Sequence, residues 1–63
     1  MTAEALERVK FYVANTGRIS KIAAQNCRFN GHHGIAFAHE NEAALADLIL
    51  TDLNKEVPDS ESD

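Results

Sequence analysis

One cysteine in a chain of 63 residues, Cys27, rules out an internal disulfide, and no other feature narrows the possible folds as much. A core in this size range supplies only about 3–5 kcal/mol, and small proteins usually supplement it with disulfides, a metal or a partner subunit. With the first removed, a metal or a partner must be weighed. A second independent core is excluded by length, so residues 1–55 are expected to form a single small domain. Apolar residues make up 44% of the chain, which is a globular composition. Ten of them are alanines, each burying little area, so the core should be thin.

Residues 56–63 hold four acids, a proline and a single apolar side chain, Val57, too little to repay the entropy of ordering, and they read as a disordered acidic tail. Before it, Leu45, Leu48, Ile49 and Leu53 recur at helical spacing opposite Asp47, Thr51 and Asn54. With Asn41 as its cap and Glu42 at the positive end of its dipole, this is an amphipathic helix over 42–54.

The first half admits two readings. Phe11-Tyr12-Val13 is an aromatic and β-branched run, and Asn15-Thr16-Gly17 matches a three-residue hairpin loop. A hairpin over 9–24 would set Val13 opposite Ile19 and Phe11 opposite Lys21. A further strand near 35–38 would point Ile35 and Phe37 together. The favoured fold is therefore α+β, a small antiparallel sheet packed with the C-terminal helix. The alternative is an all-α three-helix domain, since Ala5, Leu6, Val9, Tyr12 and Val13 also fit a helical stripe. In that form Gly17 caps one helix and Ser20 starts the next.

Cys27, His32, His33 and His39 lie close in sequence and are all of zinc-ligating type. Their spacing lacks the two close ligand pairs of structural zinc sites, so no metal is expected and Cys27 reads as a small buried hydrophobe. No nucleophile elbow, phosphate loop or partnered set of titratable residues is present, which argues against an enzyme or a bound cofactor. Met1-Thr2-Ala3-Glu4 lacks the basic and apolar regions of a secretory leader. Residues 43–53, the longest apolar stretch, fall short of the roughly 20 a membrane span needs. A cytoplasmic location with no membrane partner is expected.

Charge is distributed unevenly. Residues 1–39 carry a net +3 and residues 40–63 a net −7. Such a dipole bears on partners rather than on fold. The leading expectation is a non-enzymatic regulatory or inhibitor-like protein that docks a charged surface on a larger protein, with Glu40, Glu42, Asp47 and Asp52 as the ordered contacts. Phage and mobile elements use many proteins of this size. The alternative is a small nucleic-acid-binding regulator using Arg8, Lys10, Arg18, Lys21 and Arg28, five cations with no acid between the first and the last. The shortage of core also predicts a homodimer, with Tyr12, Ile22 and Leu50 expected on its surface.

Overall fold

Thr2 opens the first element. Its backbone is extended, and its hydroxyl oxygen accepts a hydrogen bond from the Ala5 amide at 3.1 Å, satisfying one of the amides that a helix start leaves free. Glu4 follows in the first turn, where the helix dipole favours an acid. In the computed structural model, which describes residues 1–58, the helix begun here, α1, runs Ala3–Phe29 without a break. Its end is closed by Gly31 at φ 81°, a left-handed conformation that costs any residue with a Cβ. The Gly31 amide donates to the Arg28 carbonyl and the His32 amide to the Cys27 carbonyl at 2.7 Å, the paired bonds of a Schellman turn. Three residues later the chain is helical again, and α2 runs His33–Leu53.

The two helices form an antiparallel hairpin, which corrects the expected sheet. Among the described residues there is no strand: the hairpin expected over 9–24 lies inside α1, and the strand near 35–38 is the start of α2, which begins nine residues before the expected helix 42–54. The all-α alternative comes closer, but Gly17 and Ser20 sit within one continuous helix instead of separating two. Of the tail expected at 56–63, residues 56–58 have no regular secondary structure, and 59–63 lie outside the described residues.

Burial explains why these helices pair. Leu6, Lys10, Val13, Gly17, Ser20, Ala24 and Cys27, alternately three and four apart, are the buried or half-buried line of α1 that faces its partner. Ala36, His39, Ala43, Ala46, Leu50 and Leu53 repeat the rhythm on α2. This is the spacing of positions a and d in a heptad, which keeps one stripe of each helix against the other. The stripe is made mostly of small side chains. A methyl group placed on Gly17 would sit 3.2 Å from the Ala46 Cβ, so the backbones approach closely at mid-length. An antiparallel register centred there brings Ser20 level with Ala43 and Val13 level with Leu50. The large apolar seam side chains Val13, Leu6, Leu50 and Leu53 lie in the half away from the turn, and the half nearer it holds Ala24, Cys27, Ala36 and His39. Leu6, only 3% exposed, is the one large side chain in the buried core. It lies at the open end beside Met1, Leu53 and Val57.

Candidate functional site

The seam divides the hairpin into two unlike flanks. On one, the heptad positions next to the seam hold Lys21 and Arg28 of α1 against Asp47 and Glu40 of α2. The Lys21 ammonium lies 3.6 Å from Asp47 Oδ2. Arg28 meets Glu40 with both ends of its guanidinium, Nε to Oε2 and Nη2 to Oε1, each at 2.6 Å. That fork holds the Glu40 carboxyl below its ordinary value, first through the hydrogen bond and then through the guanidinium charge, with desolvation opposing. The Arg28 pKa is raised by the same hydrogen bond. The first turn of α2 joins this flank, with Arg28 Nη1 3.5 Å from His33 Nδ1.

The other flank is apolar and open. Tyr12, Val13 and Thr16 of α1 face Glu42, Leu45, Ala46 and Ile49 of α2 across a groove of about 320 Å³. Tyr12 is 61% exposed and Leu45 58%. Beyond the groove the same side carries a second three-four stripe on α1, through Ala5, Val9, Tyr12, Thr16, Ile19 and Ala23. A matching stripe on α2 runs Ile35, Ala38, Glu42, Leu45 and Ile49. Within the groove the charge is Glu42, whose Oε1 accepts from His39 Nδ1 at 2.6 Å, and the stripe's next position after Ile49 is Asp52.

The residues singled out from the sequence are dispersed by this geometry. The four acids expected to contact a partner all have partners within the chain: Glu40 with Arg28, Asp47 with Lys21, Glu42 with His39, and Asp52 with Lys55 at 4.0 Å. The five cations are engaged in the same way, Arg8 with Glu4, Lys10 with Glu7, Arg18 with Asn15, and Lys21 and Arg28 with α2. Of the three side chains expected on a self-association surface, Tyr12 lines the groove, Ile22 is exposed on the outer side of α1, and Leu50 is half-buried in the seam. Cys27 and His39 face the seam, while His32 lies in the turn and His33 opens α2. Among the described residues, no three His, Cys, Asp or Glu side chains gather into a group that could hold a metal ion.

Ile19, Leu45 and Ile49 were missed. The signal that finds them is the second stripe, visible only once both halves are treated as helices and the seam has been subtracted. Among the described residues no helix is long and apolar enough to cross a membrane. No protein-family model, no curated protein and no solved structure matches the chain.

Proposed function

We propose that the chain is a non-enzymatic protein-binding module of regulatory or inhibitor-like type, and that the apolar flank, rather than the charged one, makes the contact. The observation that carries this reading is the groove between Tyr12 and Thr16 on α1 and Leu45 and Ile49 on α2, continued by exposed Ile19 and Ile35. Contiguous apolar surface on one side of a small protein marks an interaction site more often than scattered single residues do. Two helices flanking an apolar trough suit a third helix, whose anchors at three-four spacing would fill it.

The expected acidic contact is less well supported, because its members are already paired across the seam or along α2. Nucleic-acid binding meets the same objection, since Lys21 and Arg28 stand beside acids of α2. The immobilised chain, offered proteins from the cells that encode it, should retain a discrete partner. Ile19→Asp with Leu45→Asp should release that partner, and Asp47→Asn should keep it. Retention that follows Asp47 instead, or tight and steeply salt-dependent binding of duplex nucleic acid, would overturn the reading.

A further inference from the structure

We infer that the apolar flank is covered by a second copy of this chain, the two hairpins closing face to face into a four-helix bundle. This rests on the reading of that flank as a protein-binding face and names its occupant.

The first ground is the doubled stripe. A helix with one neighbour needs one heptad line of small or apolar residues. Each helix here has two, side by side. One forms the seam, and the other, through Tyr12, Thr16 and Ile19 on α1 and Leu45 and Ile49 on α2, stays exposed, with Tyr12 in edge contact with the Phe11 ring. Two adjoining stripes are what a helix in a four-helix bundle requires, because it contacts two neighbours. The opposite flank, closed by Lys21–Asp47 and Arg28–Glu40, has no such second line.

The second ground is area. The chain exposes 4657 Å², whereas a compact monomer of 6.9 kDa exposes about 4000 Å². Exposed residues 54–58 contribute part of the excess. Two helices about 10 Å wide and about 31 Å long present on the order of 600 Å² in projection. That approaches the roughly 800 Å² per partner of a standard stable interface.

Of the two ways in which the copies can face each other, net helix charge favours one. Within the helix limits α1 carries a net +3 and α2 a net −4. A two-fold axis parallel to the helices lays each α1 against the partner's α2, antiparallel, with both turns at one end. A two-fold axis across the helices would instead stack α1 on α1 and α2 on α2, setting like charges together. Within the groove Glu42 is the lone charge, and Tyr12 and Thr16, which line the same groove, carry hydroxyl donors. Each copy therefore brings both the acceptor and the donors that a self-complementary contact needs.

Sedimentation equilibrium of the full chain at 1–100 μM is the test, with circular dichroism to follow helicity. The wild type should be a dimer whose melting temperature rises with concentration. Ile19→Asp and Leu45→Asp should each raise the dissociation constant at least tenfold. Ile22→Asp, on the outer side of α1, should leave the dimer intact. If the face variants unfold instead of dissociating, the concentration dependence of the wild-type melt still decides. Spin labels on a Cys27→Ser, His32→Cys chain should lie within about 25 Å of each other. A separation beyond about 40 Å, which turns at opposite ends would give, overturns the arrangement. A wild-type monomer at 100 μM overturns the dimer, and face-dependent retention of another protein would then still support the module reading. A dimer broken by Ile22→Asp and spared by Leu45→Asp also overturns it.

Discussion

Gly17 sits in the middle of a helix, where glycine costs about 1 kcal/mol relative to alanine, and it is retained there by space rather than by backbone conformation. Gly17→Leu should cost about 2 kcal/mol in chemical denaturation because the seam has no room for the side chain. Leu6→Ala should cost a similar amount, since Leu6 is the one large buried side chain at the open end. Gly31 is held by its positive φ alone, with open space around it, so Gly31→Ala should cost about 1 kcal/mol through backbone strain. The Arg28–Glu40 fork predicts acid sensitivity. Because the Glu40 carboxyl lies below its ordinary value near 4.5, the folded hairpin binds fewer protons than the unfolded chain in that region. The contribution is present in full above about pH 4.5 and is lost as pH falls through the lowered value. Urea titrations between pH 6 and pH 3 should show this loss, and Glu40→Gln should reduce it.

At the scale of the element, the two helices start very differently. α1 has the Thr2 hydroxyl on its first turn, whereas α2 begins at His32 with no side-chain cap and no acid in its first turn. His32→Asp should therefore stabilise the protein by about 1 kcal/mol, seen as a rise in melting temperature, without disturbing the main-chain bonds of the turn. The same contrast explains what could be read from the chain. The C-terminal helix was legible because Leu45, Leu48, Ile49 and Leu53 give a strong apolar period. The first turns of α2 were not, because Ile35-Ala36-Phe37-Ala38 alternates in size like a strand. In the helix, Ala36 is fully buried in the seam while Ile35 and Phe37 diverge to opposite sides of it. Asn15-Thr16-Gly17 misled for a related reason. A glycine after two turn-forming residues reads as a bend, but this one serves close approach to Ala46, a long-range contact that no local window contains. Of the residues along the open flank, only Tyr12 was singled out from the sequence for a surface role, Leu50 lies in the seam instead, and the exposure of Ile19 and Leu45 on this side follows from the continuous helices.

For the whole molecule, shape is the observable. The radius of gyration is 15.0 Å, against about 10.6 Å for a compact domain of 63 residues. A second hairpin laid alongside at a helix spacing of about 9 Å should double the scattering mass while lifting the radius of gyration only to about 16 Å. End-to-end association would lengthen the particle instead, and small-angle scattering separates the two. The grading of side-chain size along the seam has a kinetic consequence at the same scale. Next to the three-residue turn the chain itself tethers the helices, and closing so short a loop costs little entropy, so alanines suffice to hold the first layers. Each later layer is farther from that tether and must hold itself, and there the side chains become valine and leucine. Pairing that begins at Gly31 must cross the thin Gly17–Ala46 layer before it reaches Val13, Leu50, Leu6 and Leu53. The largest apolar side chains of the seam thus stand at the end that the turn does not tether.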